Sequence, residues 1–382
     1  MRNRHIMVIE QLTLSDFRNY TQQQLEFAAG INVLVGENGQ GKTNVLEAIY
    51  LLAVGKSHRT SRDADLIRHG AERTELAAVI AHQQRPLKLR LEFGRYGKKA
   101  QVNGVLQSRM SDFVGRFQVV LFAPEDLQLV KGGPAVRRRF IDMELGQTHA
   151  RYLHHLSLYH RTLQQRNHLL KRSDLDIDSI LAFDDPLVEH GTEVVLRRHR
   201  FVSLLRDIAR EIYASISAGR EQLEIRYQPA LQGHVHPGGE HAESLDAGAI
   251  ASAFHEQLAA RVRGDAQLGY TSVGPHRDDL VLLLDDRPVQ VHASQGQQRT
   301  IALSLRLAEI ELIRREVGEY PVLLLDDVLS ELDDNRQRHL LLSMSDKVQT
   351  LVTSTGLYQL ANKLTGRSRL FHVRSGIIQM EG

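Results

Sequence analysis

The 382-residue sequence contains no cysteine, which excludes disulfides, thiolate metal sites and cysteine nucleophiles and suits a reducing compartment. Tryptophan is also absent and aromatic residues make up 5% of the chain, so there is little from which to build a platform that stacks unpaired bases on rings. No apolar run approaches the ~20 residues that span a bilayer. The basic opening Met1-Arg2-Asn3-Arg4-His5 leads into alternating apolar and polar residues, unlike a signal peptide. Together these absences predict a cytoplasmic protein with no membrane partner. Lysine is scarce too, nine of 48 basic residues, and the net charge is only +2. Any nucleic-acid surface must therefore come from local clusters of arginine.

Those clusters are present at Arg59, Arg62 and Arg68, at Arg137-Arg138-Arg139, and at Arg197, Arg198 and Arg200. Each alone reads as a solvated helix face; the three together favour phosphate contact by arginine. We single out Arg59, Arg62, Arg137, Arg138 and Arg139 as candidate DNA or nucleotide contacts. The rest of the composition, 42% hydrophobic and 25% charged, is that of an ordinary globular protein long enough for about two lobes.

Residues 7–35 alternate as short strands and end in the apolar run Ile31-Asn32-Val33-Leu34-Val35, read as a buried strand. A helix is predicted from Lys42, and residues 74–105 read as antiparallel strands with Leu87, Leu89 and Leu91 on one face. From 146 to 264 leucines recur at helical spacing, notably over 152–171 and 186–218. His234, His236 and His241 lie in a Pro- and Gly-rich stretch and read as a solvated loop, not a metal site. After Gly264 strands return at 280–284 and 321–325, with a helix from Gln298 to about Val317 between them. The expected organisation is a discontinuous α/β head (1–145 and 265–382) interrupted by a helical lobe (146–264).

Three motifs carry chemistry. Gly36-Glu37-Asn38-Gly39-Gln40-Gly41-Lys42-Thr43 has the P-loop pattern G-x-x-x-x-G-K-[ST] between a strand and a helix. Its backbone N–H groups would wrap phosphates, Lys42 would reach the β- and γ-phosphates of ATP, and Thr43 would place a hydroxyl on Mg²⁺. Pro321-Val322-Leu323-Leu324-Leu325-Asp326-Asp327 is an apolar strand ending in two acids. Asp326 would hold the metal through water, and Asp327 stands where a general base for the attacking water belongs. Ala293-Ser294-Gln295-Gly296-Gln297-Gln298-Arg299 resembles the ABC signature at the start of a helix. In that superfamily the signature of one subunit closes over ATP held by another, so Ser294, Gly296 and Gln297 are assigned to the nucleotide. Ser330-Glu331-Leu332-Asp333 resembles the D-loop at the same interface, which adds Asp333.

The order of further stretches resembles the RecF family over nearly the whole chain. They are Phe17-Arg18-Asn19-Tyr20, Ser57-His58-Arg59-Thr60-Ser61-Arg62, Phe122-Ala123-Pro124-Glu125-Asp126-Leu127, Gly132-Gly133-Pro134 and Gly274-Pro275-His276-Arg277-Asp278-Asp279. The resemblance implies an ABC-type P-loop ATPase head with mixed sheets and an inserted helical lobe, with Arg18 approaching the nucleotide. It also implies ATP-dependent homodimerisation on DNA and action with RecO and RecR to load RecA at single-strand gaps, in replication restart and the SOS response. An SMC-type head would need a long coiled coil between Thr43 and Ser294, for which too little chain remains. A transporter subunit would carry a histidine where Leu351-Val352-Thr353-Ser354-Thr355 stands, and no lid glutamine is evident at Phe122-Ala123-Pro124. These departures predict slow hydrolysis. A DNA clamp that uses ATP as structural glue, with negligible turnover, is the alternative of a different class.

Overall fold

The computed structural model describes residues 6–82, 85–95, 97–172, 176–231, 246–333, 336–337, 340, 347–355 and 368–381. The histidine-bearing loop expected around His234, His236 and His241 lies outside them, as does the basic opening of the chain. The chain divides into two compact units, Met1–Asp126 with Leu303–Gly382, and Leu127–Ala302. The helical stretch expected at 146–264 falls in the second unit.

In the first unit the chain begins as a hairpin of β1 (Val8–Phe17) and β2 (Tyr20–Glu26). The turn between them is possible because Arg18 adopts a left-handed conformation, φ 54°. β1 also pairs antiparallel with β4 (Arg73–His82), followed by β5 (Arg85–Gly94), β6 (Gly97–Val102) and β7 (Val105–Leu106). The resulting sheet has the order β2-β1-β4-β5-β6-β7. Alternation decides its faces: Leu76, Ala78 and Ile80 of β4 and Leu87, Leu89 and Leu91 of β5 are all buried.

The second sheet is mainly parallel. Its strands are β3 (Ile31–Val35), β8 (Val119–Phe122), β12 (Val322–Leu325), β13 (Thr350–Ser354), β14 (Ser368–Arg374) and β15 (Ile377–Met380), in the order β15-β14-β3-β13-β12-β8. β3, β8 and β12 are almost entirely buried, as expected of parallel strands covered on both faces. Helix α1 (Lys42–Val54) contacts strands of both sheets and buries Val45 to Val54 without a break. A helix buried on every side belongs in the middle of a core. A short helix, α2 (Met110–Phe113), precedes β8.

The second unit is largely helical: α3 (Leu127–Lys131), α4 (Pro134–Thr148), α5 (Ala150–Leu169), α6 (Ile177–Leu181), α7 (Asp184–Ser217) and α8 (Ala247–Leu268). Along α7, Leu187, Val188, Gly191, Val194, Val195, Arg198, Phe201, Val202 and Leu205 keep the three- and four-residue spacing of one buried face. Gly191 is required where α7 meets its neighbours, because a Cβ there would fall 2.5 Å from the Phe254 ring. Within the stretch expected to be helical, one strand went unforeseen. β9 (Leu223–Gln228) pairs antiparallel with β10 (Asp279–Leu284), and β11 (Arg287–Pro288) completes that small sheet. Helix α9 (Val289–His292) leads to α10 (Gln295–Val317), which begins in the second unit and continues into the first from Leu303.

Candidate nucleotide site

The site is built at the C-terminal edge of the parallel sheet, where β3 hands over to α1. β13 lies between β3 and β12, with Thr353 opposite Leu34 and Val352 opposite Leu325. The P-loop and the acidic pair therefore leave the sheet side by side, the usual location of ligands in open α/β sheets. Two glycines are dictated by close approach. A Cβ on Gly36 would sit 2.2 Å from the Val373 carbonyl oxygen of β14, and one on Gly41 (φ 118°) would meet the Tyr20 hydroxyl at 2.7 Å. The loop is also pinned from outside. Tyr20 Oη donates to the Gly41 carbonyl (2.9 Å), Asn19 Nδ2 to the Gln40 carbonyl (2.9 Å), and Ser375 N to Gln40 Oε1 (2.6 Å).

The N-terminus of α1 has no side-chain cap and no acidic residue in its first turn. The N–H groups that open the helix and the positive end of its dipole thus lie at the loop, which suits an anion. Lys42 Nζ donates to the carbonyls of Gly36 (2.6 Å) and Glu37 (2.9 Å), stretched across the loop it would share with a phosphate. Burial lowers its pKa, opposed by the nearby charges of Asp327 and Asp326. Asp326 Oδ1 accepts hydrogen bonds from Thr43 Oγ1 (2.8 Å) and Thr353 Oγ1 (2.9 Å). Burial raises the Asp326 carboxyl, the two hydroxyls pull it down, and Glu125 adds to the rise while Arg59 opposes it. A hard divalent cation takes oxygen ligands such as the Thr43 hydroxyl and the Asp326 carboxylate, so this donor set fits Mg²⁺.

Sequence reasoning missed Glu47. It sits inside the apolar run of α1, its side chain wholly buried, and a lone carboxylate in such a run was the available signal. Arg18 Nη2 and Nε donate to it (2.6 and 2.9 Å), Ser57 Oγ donates to it (2.5 Å), and Arg59 Nη1 approaches at 3.4 Å. Burial alone would raise the Glu47 carboxyl, but these donors and the two arginine charges outweigh it and hold it below the ordinary value. Arg18 also donates to the Asp65 carbonyl (2.8 Å), so it ties Glu47 to the loop that follows α1. Arg59 donates to Asn44 Oδ1 (2.9 Å) on the first turn of α1, which puts it beside the P-loop, while Arg62 is exposed.

In the second unit, Ser294 and Gln297 form a reciprocal cap at the start of α10: Ser294 N donates to Gln297 Oε1 (2.6 Å) and Gln297 N to Ser294 Oγ (3.3 Å). Gln297 Nε2 also donates to Glu221 (2.5 Å). Ser294 is exposed and Gly296 half-buried. Asp333, in the first unit, is exposed and pairs with Arg336. The side chains of Ser330 and Glu331 lie outside the described residues.

The arginine run needs correction at one position. Arg137 is buried; its Nε and Nη2 donate to the two Asp279 carboxylate oxygens at 2.8 Å each, and its Nη1 donates to the Gly132 carbonyl. With every nitrogen committed inside the protein it cannot meet a phosphate. Arg138 is half-buried and donates to the Asp278 carbonyl (2.6 Å), whereas Arg139 is exposed. Arg198, from the third cluster, is likewise buried against Asp142 and Asp278.

Over residues 8–379 the chain matches the family described as RecF/RecN/SMC N terminal domain. It shares its fold with the Smc head domain of Pyrococcus furiosus, at a TM-score of 0.55 and 19% identity over 98% of this chain and 96% of that one. Fold and site together define an ABC-type ATPase head with mixed sheets and a helical lobe. The sequence is 46% identical over 379 residues to the DNA replication and repair protein RecF of Halalkalibacterium halodurans, covering 98% of this chain and 100% of that one. With the protein of the same name from Geobacillus kaustophilus it shares 47% over 378 residues, 97% and 99% of the two chains. A solved structure described as the recombination mediator protein RecF-ATPrS in the RecFOR pathway matches with a TM-score of 0.90 and 32% identity over the whole of both chains. The chain belongs to the RecF family. Among the described residues no helix is long and apolar enough to cross a membrane.

Proposed function

We propose that this chain is an ATP-dependent DNA-binding protein of recombinational repair. ATP with Mg²⁺ occupies the P-loop of Gly36–Thr43, and ATP draws two copies together on DNA. The observation that carries the reading is the 2.8 Å hydrogen bond from Thr43 to Asp326, which joins phosphate loop and acidic strand in one constellation. When bound, the metal supplies charge neutralisation between the phosphates. The chain's own residues do the rest. Backbone N–H groups from Glu37 to Gly41 wrap the phosphates, Lys42 turns from its two carbonyl partners to the terminal phosphates, and Asp327 holds the attacking water. Ser294, Gly296 and Gln297 of one copy, with Asp333, close over the nucleotide of the other. Arg62, Arg138 and Arg139 contact DNA phosphates.

The resemblance extends the proposal to action with RecO and RecR in placing RecA at single-strand gaps, and so to replication restart and the SOS response. Hydrolysis is slow, because Asp327 reaches less far than a glutamate would, and it serves to release the dimer. Phosphate release measured with and without gapped DNA, for wild type and Lys42→Ala, tests this. A slow, DNA-stimulated rate lost in the variant supports it, and turnover well above ~10 s⁻¹, the usual enzymatic rate, refutes the release role. No release at all, with ATP still bound, leaves the clamp that uses ATP as structural glue.

A further inference from the structure

In the sequence, Thr353 belongs to the stretch Leu351-Val352-Thr353-Ser354-Thr355, where a transporter would carry a histidine. In the structure it lies on the strand between the P-loop strand and the acidic strand, level with the point where both end. Its hydroxyl touches both acidic residues: Oγ1 donates to Asp326 Oδ1 (2.9 Å) and accepts the N–H of Asp327 (2.8 Å). A hydroxyl has one proton, and the Leu325 carbonyl at 3.5 Å is too distant to compete for it. Thr353 is 2% exposed, so water has no access to take over the role.

Two features make this contact more than packing. Asp327 has a left-handed backbone, φ 55° and ψ 15°, a region that aspartate enters more readily than most residues with a Cβ but that still needs a contact to fix it. The N–H bonded to Thr353 is such a contact. Asp326 Oδ1 has two hydroxyl donors, and one of them, Thr43, is itself a proposed metal ligand. A Thr43 hydroxyl that binds the metal through a lone pair still donates to Asp326, but the metal then sets its direction, so Thr353 is the donor on that oxygen whose direction the protein alone fixes.

We infer that Thr353 is a positioning residue of the nucleotide site: its hydroxyl keeps the Asp326 carboxylate facing the P-loop and Asp327 in its left-handed turn. The inference rests on the nucleotide reading above. Metal-dependent binding and hydrolysis depend on Thr353, whereas metal-free nucleotide binding, which uses the loop and Lys42, does not.

The test compares full-length wild type, Thr353→Val and Thr353→Ser. Affinity for a fluorescent ATP analogue is titrated in EDTA and in Mg²⁺, kcat and KM are taken from phosphate release, and melting is recorded for each. The valine variant should match wild type in EDTA and lose roughly 10- to 100-fold of the Mg²⁺-dependent gain in affinity and of kcat, the effect of one lost hydrogen bond to a charged group. The serine variant, which keeps the hydroxyl, should restore both. If valine does not fold, Thr353→Ala takes its place. A variant without the hydroxyl that keeps the Mg²⁺-dependent gain, or a serine variant that fails to restore it, overturns the inference. Wild-type protein that binds no nucleotide in either buffer would remove the nucleotide reading as well, so the two failures are distinguishable.

Discussion

Arg137 and Arg139 are two residues apart on one helix and have the same side chain, yet the structure assigns them opposite consequences. Arg137→Ala removes a guanidinium that is 5% exposed and strands the Asp279 carboxylate, itself 23% exposed, without its two 2.8 Å donors. Breaking a buried pair by removing one partner costs about 3–5 kcal/mol. Because water still reaches part of Asp279, the cost is discounted to roughly 2–3 kcal/mol. For a unit of this size, each kcal/mol moves the midpoint by about 2–4 °C, so the variant should melt roughly 5–10 °C early. Arg139 is exposed, and its truncation should leave melting within about 0.5 kcal/mol of wild type. As a phosphate contact it should instead weaken DNA binding across sequences and lower the salt slope by about one. Thermal melts and fluorescence anisotropy at several salt concentrations separate the two. An Arg137→Ala variant as stable as wild type but unable to bind DNA would refute the reasoning.

Two further outcomes follow from the same geometry. His276 donates from Nε2 to the Thr271 carbonyl (2.9 Å), which leaves Nδ1 to accept from the Tyr159 hydroxyl (2.6 Å), and burial lowers its pKa to about 4. The folded protein then binds fewer protons than the unfolded chain between the ordinary histidine value and pH 4. Stability from this residue is therefore complete above about pH 6.5 and falls by about 3 kcal/mol as the pH drops to 4; urea unfolding from pH 4.5 to 7.5 should show that slope, and His276→Gln should flatten it. Gly36→Ala would drive a Cβ into the Val373 carbonyl at 2.2 Å, so it should displace the loop from β14, abolish binding of the fluorescent ATP analogue and lower the melting temperature; unaltered binding would show that β14 does not support the loop.

Where the sequence was legible, the determinants were local. The run Ile31–Val35, the glycines after it and the apolar helix from Lys42 lie within about two dozen residues, and period and spacing alone place them as β3, the P-loop and α1. The reciprocal Ser294–Gln297 cap was likewise readable as a helix start. What stayed hidden depends on partners distant in the chain. Two arginine clusters look like solvated faces until Asp279 is found opposite Arg137, 142 residues on, and Asp278 opposite Arg198, 80 residues on. β9 was absorbed into the helical lobe because its pairing strand, β10, comes only after α8. Glu47 and Thr353 gain their meaning from side chains brought by other elements, and no spacing in their own segments announces that. The same holds for Arg59, placed by its sequence among the cations for DNA and by its hydrogen bonds beside the first turn of α1.

The central claim is that this P-loop and the exposed Ser294 segment complete one another between two copies of the chain. Solution mass by light scattering without nucleotide, with ATP and with ADP, for wild type and Ser294→Arg, tests it most directly. The account predicts a monomer that becomes a dimer only with ATP, and a variant that still binds ATP but stays monomeric. A mass indifferent to ATP, or a variant that dimerises as wild type does, would contradict it.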